Sequence, residues 1–261
     1  MPEVPAHGVR LYVEERGSGE PILLVHGTAS WGGVWQPSTV GALSELGRLV
    51  VYDRRGCGRS ERPEPYETNV AQHAEDAAAL LEVLDAIPAV VIGRSYGGET
   101  AVELTLRYPD RVRALVLLEA AALGLDGEAR AFNDVLHREV EAAAERDPSS
   151  VAEVFLRRVL GDRAWESFKP EVRDVFVANG PAIVAEFRGG YLQATEGDLA
   201  TIGVPTLLVA GEASPPAFRR VTDRMAAAIP DARTVIVGGG HFIDPGLPEV
   251  LAFVREQLRT A

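Results

Sequence analysis

Cysteine is nearly absent, with Cys57 alone among 261 residues. A single thiol excludes an intramolecular disulfide and any zinc site built on several cysteines, and it suits a reducing compartment. No apolar run approaches the roughly 20 residues of a membrane-spanning helix. Residues 1–10 carry neither the basic flank nor the apolar stretch of a secretory signal. Basic side chains are in deficit, 26 Lys and Arg against 38 Asp and Glu, for a formal charge of -12. Excess carboxylate works against nucleic acid and anionic membranes, which reward clustered cations, and favours solubility. The expectation is a cytoplasmic protein with no nucleic-acid or membrane partner.

What is present suits one globular unit with a substantial core: 46% hydrophobic and 25% charged residues. Short runs rich in Val, Ile and Leu recur at 22–25, 49–52, 90–92, 112–118, 206–210 and 234–237. Bounded by Gly, Pro or charge, they read as strands buried on both faces of a parallel sheet. Amphipathic helical stretches fall between most of them, at 70–84, 98–108, 218–228 and 247–259. This alternation predicts an α/β class with right-handed crossovers. The rhythm breaks at 122–198, which reads as several helices without a strand. Asp147-Pro148-Ser149-Ser150, Lys169-Pro170 and Gly180-Pro181 divide it. The expected organisation is a core at 1–121 and 199–261 with a helical cap inserted at 122–198.

Gly93-Arg94-Ser95-Tyr96-Gly97 joins a strand candidate to a helix candidate and fits G-x-S-x-G. Small neighbours let the chain turn sharply and expose the serine hydroxyl, and the following helix N-terminus favours developing negative charge. The bland alternative is a glycine turn whose serine only caps the helix; a phosphate loop would need a Gly-Lys-Ser/Thr ending that is missing. A serine hydroxyl needs a base to attack at neutral pH. His241, in Gly238-Gly239-Gly240-His241-Phe242 after the last strand candidate, stands in the right chain order. His73 and His137 fall on expected helices, His7 near the terminus and His26 at the end of a strand.

His26-Gly27, Asp53-Arg54-Arg55-Gly56-Cys57-Gly58-Arg59-Ser60 and the serine motif together resemble the α/β-hydrolase superfamily, over essentially the whole chain outside the cap. That resemblance implies an α/β-hydrolase fold: a mostly parallel central sheet flanked by helices, with the cap inserted. It implies Ser95 as nucleophile and His241 as base, with no cofactor and no metal. The N–H of Tyr96, with that of Thr28 or Gly27, would form the oxyanion hole, and His26 would shape its loop. The loop at 53–60 would be structural, with an anion site at Arg54, Arg55 and Arg59 as the alternative.

Most of the superfamily carries the third catalytic group as an aspartate shortly after the strand equivalent to 206–210. Here that loop reads Gly211-Glu212-Ala213-Ser214-Pro215, with Ser214 at the aspartate position. Glu119 ends the 112–118 strand on the same sheet edge as Ser95, where a carboxylate could orient His241. Its spacing from Ser95 is similar to that in haloalkane dehalogenases and fungal zearalenone lactonases, which place a glutamate after this strand. The dehalogenases use an aspartate nucleophile, so Ser95 points to the lactonases. An aspartate-poor, Pro-containing 211–218 segment and Trp165 in an Asp-Arg-Ala-Trp stretch extend the likeness, whereas Ile183 stands near the position of their macrolactone-packing tryptophan. Glu212 and Asp244 remain alternative acids.

An apolar roof over Ser95 is expected from Leu123, Phe155, Val159, Ile183, Phe187 and Tyr191. Trp31, Phe218 and Phe242 add to the wall or serve as core. The expected reaction is cleavage of a carboxylic ester, preferably a lactone, of a small to medium apolar substrate. C–C bond hydrolysis or another non-ester reaction of the superfamily on the same groups, or a receptor with little turnover, are the rivals. Oligomeric state is open, a homodimer included.

Overall fold

Every residue of the strand Pro21–Val25 is buried, and its side chains alternate between two cores: Leu23 and Val25 enter one, Ile22 and Leu24 the other. Such two-sided burial requires helices on both faces of the sheet. The structure is a computed structural model that describes residues 3–259. Met1, Pro2, Thr260 and Ala261, at the ends of the expected core segments, lie outside the described residues.

The strands are β1 (Glu3–Ala6), β2 (Val9–Arg16), β3 (Pro21–Val25), β4 (Arg48–Tyr52), β5 (Ala89–Arg94), β6 (Val112–Leu118), β7 (Thr206–Gly211) and β8 (Ala232–Val237). They form one sheet in the order β1-β2-β4-β3-β5-β6-β7-β8. Pairing is parallel from β4 across to β8 and antiparallel at β1–β2 and β2–β4. All six strands read from the sequence are present. The edge hairpin β1–β2 adds to these and has no continuous apolar run, because β2 alternates buried Val9, Leu11 and Val13 with exposed or half-buried residues.

Helices α1 (Pro37–Ser44), α2 (Val70–Val83) and α3 (Tyr96–Arg107) precede or link the first strands. Between β6 and β7 the described chain contains no strand. It forms α4 (Gly127–Arg146), α5 (Val151–Leu160), α6 (Asp162–Ser167), α7 (Pro170–Ala178), α8 (Gly180–Gly189) and α9 (Glu196–Leu199). Asp126 caps α4 by accepting from Glu128 and Ala129 N–H, and Pro170 and Pro181 fall in the first turns of α7 and α8. Ser150 makes no side-chain cap on α5; Asp147 instead accepts from Ser149 N–H and caps the short turn between α4 and α5. α10 (Pro216–Ala228) and α11 (Pro248–Arg259) complete the core.

Polar anchors hold the helical segment between β6 and β7 to the loops after β3 and β4. Asn179 donates to the carbonyls of Ala29 and Ser30 at 2.9 and 3.0 Å and accepts from Gly58 N–H at 3.0 Å. Arg54 reaches Glu186 of α8 at 2.7 Å, both fully buried. The strand order reverses at β3, whose successors β4 and β5 lie on opposite sides of it, so the loops leaving β3 and β5 diverge and open a crevice at their C-terminal ends. Among the described residues, no helix is long and apolar enough to cross a membrane, and no cluster of His, Cys, Asp or Glu is placed to hold a metal ion.

Candidate active site

Ser95 sits in the β5–α3 turn with φ 55° and ψ -121°, a conformation that side chains rarely adopt. Neighbouring strands and the helix over-determine it. Ser95 N–H donates to Leu118 C=O at 3.0 Å, and its own carbonyl accepts from Gly98 at 2.8 Å and Ala121 at 3.0 Å. Glycine is required on either side for space: a Cβ at Gly93 would overlap the Gly97 carbonyl, and one at Gly97 the Val25 carbonyl. Helix α3 starts at Tyr96, two residues earlier than periodicity implies, so its positive end and the unclaimed first-turn N–H groups lie directly beside Ser95.

His241 Nε2 lies 3.0 Å from Ser95 Oγ, and His241 Nδ1 lies 2.6 Å from Glu119 Oε2. Glu119, fully buried with φ 47°, is pinned by its own N–H donating to Val209 C=O at 2.9 Å. Its carboxylate also accepts from Gly211 N–H at 2.7 Å and from Ser214 Oγ at 2.9 Å. A carboxylate that only accepts places the imidazole proton on Nδ1 and leaves Nε2 free to accept from Ser95. Phe218 stacks on the imidazole, centroids 3.8 Å apart, and fixes the plane of the ring. The alternative acids are elsewhere: Glu212 is exposed, and Asp244 accepts from the Thr39 hydroxyl, from Gly246 N–H at 2.9 Å and from Gln36 N–H at 3.3 Å. Ser214, in the loop after β7, thus braces the Glu119 carboxylate that follows β6.

The loop after β3 closes the other side. His26 is fully buried, donates through Nδ1 to Gly27 C=O at 2.9 Å and accepts from Arg54 N–H through Nε2 at 2.9 Å. Burial and the adjacent guanidinium push it well below its ordinary value of 6.5, so it stays neutral and structural. Arg54 donates to the carbonyls of His26 and Gly27 at 2.9 and 3.0 Å. A Cβ at Gly27 would stand 3.1 Å from Ser95 Cβ, and Thr28 borders the serine. Thr28 N–H meets no backbone acceptor among the described residues. Ala29, Ser95 and Glu119, all at this site, are three of the five described non-glycine residues with positive φ. The anion-site alternative fails because Arg54 is bound to Glu186, Arg55 to Asp76 at 2.6 Å, and Arg59 lies over the Tyr12 ring beside Asp53.

Two cavities meet at Ser95, Thr28, Phe155 and Val159. The larger is lined further by Tyr96, Leu123, Leu136, Phe187, Tyr191 and Phe218, and by the polar residues Glu99, Asn133 and Glu186. The smaller adds Gly27, Arg94, Phe176, His241 and Phe242. Two expected lining residues are misplaced. Trp31 packs edge-on against Phe176 and reaches neither cavity, and Ile183 is fully buried in the core, because α8 turns that face inward. The wall is therefore less apolar than expected. Glu99 was open to recognition, one helical turn beyond Ser95 on the same face of α3, whereas Glu186 has no local signal.

A family model for the alpha/beta hydrolase fold matches residues 20–243. The chain belongs to the α/β-hydrolase family. This α/β hydrolase is 31% identical to a putative carbamate hydrolase of Azorhizobium caulinodans, over 94% of each chain. Among solved structures, a thermophilic esterase from Thermogutta terrifontis superposes with a TM-score of 0.78 at 27% identity, covering 100% of this chain and 97% of its own. The enol-lactonase from Burkholderia xenovorans superposes with a TM-score of 0.76 at 26% identity, with 100% of both chains covered.

Proposed function

We propose that this α/β hydrolase cleaves carboxylic esters, lactones among them, through an acyl-enzyme on Ser95. The observation that carries the reading is the continuous hydrogen-bonded series from Ser95 Oγ through His241 to Glu119, at 3.0 and 2.6 Å. Ser95 Oγ attacks the carbonyl carbon while His241 Nε2 takes its proton, and Glu119 holds the ring and stabilises the imidazolium. The carbonyl oxygen becomes an oxyanion held by the N–H groups of Tyr96 and Thr28, at the positive end of α3. His241 then returns the proton to the leaving alkoxide. It next deprotonates a water molecule that attacks the acyl-enzyme and frees the acid and Ser95. No step calls on a cofactor.

Lactones are favoured within this class by the acid directly after β6, the arrangement of the zearalenone lactonase group, and by the likeness to an enol-lactonase. Ile183 is turned into the core, so the position matched to the macrolactone-packing tryptophan does not reach the cavity, and the substrate preference differs from that of zearalenone lactonases. A panel of aryl esters, lactones and vinylogous diketones tests the reading. Turnover of esters and lactones that disappears in Ser95→Ala is expected. Turnover of diketones alone would replace ester chemistry by C–C hydrolysis, and tight binding of panel members without turnover would make the protein a receptor.

A further inference from the structure

Of the two cavities that meet at Ser95, only the smaller is lined by His241. His241 must protonate the departing alcohol, so the alcohol leaves through that cavity and the acyl group occupies the larger one. This inference rests on the hydrolase reading above.

Part of the wall of the acyl cavity is polar. Glu99 is buried on α3, with one carboxyl oxygen accepting from Leu192 N–H at 2.7 Å. Glu186, from α8, accepts from Arg54 through Oε1 at 2.7 Å, but its Oε2 is buried without a hydrogen-bond partner among the described residues. The Tyr96 hydroxyl is buried and unpartnered in the same way. Glu186 and Tyr96 both line this cavity, and buried polar atoms are almost always paired, so an acceptor and a donor without partners suit a ligand group that can both donate and accept. Charge narrows the choice further. Glu186 is balanced by Arg54, and burial, reinforced by Glu186, pushes Glu99 up to about 8 despite the Leu192 hydrogen bond and Arg54. At neutral pH Glu99 is thus a neutral carboxylic acid that can donate, and the wall has no net charge to attract a carboxylate or an ammonium group.

We propose that Glu99, Glu186 and the Tyr96 hydroxyl form an acyl-specificity site, and that the preferred substrate is an ester or lactone whose acyl chain carries an uncharged hydroxyl. Glu186 Oε2 accepts from that hydroxyl, and Glu99 or Tyr96 donates to its oxygen. Glu99 stands one helical turn, roughly 5 Å, from Ser95, which puts the hydroxyl about four to six carbons from the carbonyl.

The test is a series of nitrophenyl esters differing only at the end of a six-carbon acyl chain: methyl, hydroxyl, carboxylate or ammonium. With the wild-type protein at pH 7, the hydroxyl ester is expected to exceed the methyl ester in kcat/KM by about tenfold or more, with both charged esters below it. The groups facing Glu99 are Glu186 of α8, Arg54 of the loop after β4 and Tyr96 of its own helix, and burial, reinforced by Glu186, holds Glu99 up at about 8. The hydroxyl preference should therefore weaken as pH rises through about 8, where Glu99 ionises and stops donating. Glu99→Gln keeps an acceptor for Leu192 N–H and a non-titrating donor, and should retain the preference at pH 9. Equal turnover of methyl and hydroxyl esters, preference for a charged end, or the same pH-dependent loss in E99Q would each overturn the inference and leave the hydrolase reading standing. No turnover of any member, together with no fluorophosphonate adduct on Ser95, would remove both.

Discussion

Replacing Glu119 by glutamine changes one oxygen to an amino group, and the surroundings dictate which one. Gly211 N–H donates to Oε1 at 2.7 Å in a buried setting, so the amide must keep its oxygen there to avoid facing two donors across that contact. The amino group then occupies the Oε2 position, 2.6 Å from His241 Nδ1, and donates to it. His241 is forced to carry its proton on Nε2, facing Ser95 Oγ, and cannot accept the serine proton. Loss of the correct tautomer in a serine–histidine–acid arrangement lowers kcat by about 10³ to 10⁴, or roughly 4–5.5 kcal/mol of barrier. The unfolding midpoint should move little, because backbone conformation and volume are unchanged. Steady-state hydrolysis of an activated ester, beside thermal unfolding of the same preparation, reads both quantities. Adding Ser214→Asp to the E119Q variant places a carboxylate at the usual aspartate position and should recover at least about tenfold. A kcat for E119Q within tenfold of wild type would refute the reasoning and remove Glu119 from the triad.

Gly97→Ala forces a methyl group into the Val25 carbonyl and to 2.6 Å from that of His26; a loss of about 3 kcal/mol or more of stability is expected, and an unchanged unfolding midpoint would contradict it. Glu99 holds its proton up to about pH 8 when folded against an ordinary 4.5, so the stability this gives is complete below about 4.5 and declines as pH rises towards 8. The urea-unfolding free energy of the wild type should thus fall relative to E99Q between pH 5 and 9, by an amount on the order of a few kcal/mol, and parallel curves would contradict this. Cys57 is fully buried and its thiol is pushed up to about 12 by burial, so a disulfide-exchange reagent should leave the folded protein unmodified and titrate one thiol after unfolding.

The serine turn was legible because its demands are local: Gly93 and Gly97 are dictated by carbonyls that any such strand-to-helix turn brings close. Glu119 was legible for a related reason, since a carboxylate ending a buried strand must emerge at the same sheet edge as Ser95. The bracing role of Ser214 was not, because a loop serine gives no sign of a partner on another strand until β6 and β7 are paired. The polar wall is hidden from the sequence for the same reason: Arg54 and Glu186 are far apart in the chain, and only the packing of α8 on the loop after β4 brings them together. Ile183 and Glu186 show the limit of periodicity. Both are buried on one short helix, yet one faces the core and the other lines the cavity.

The central claim is that Ser95 is a nucleophile activated by His241, and a fluorophosphonate probe tests it most directly. Intact-mass and peptide analysis of the folded protein should find one adduct, on Ser95, absent from Ser95→Ala and formed orders of magnitude more slowly in His241→Ala. Folded wild-type protein that remains unmodified at Ser95, or that reacts equally fast without His241, would contradict the account.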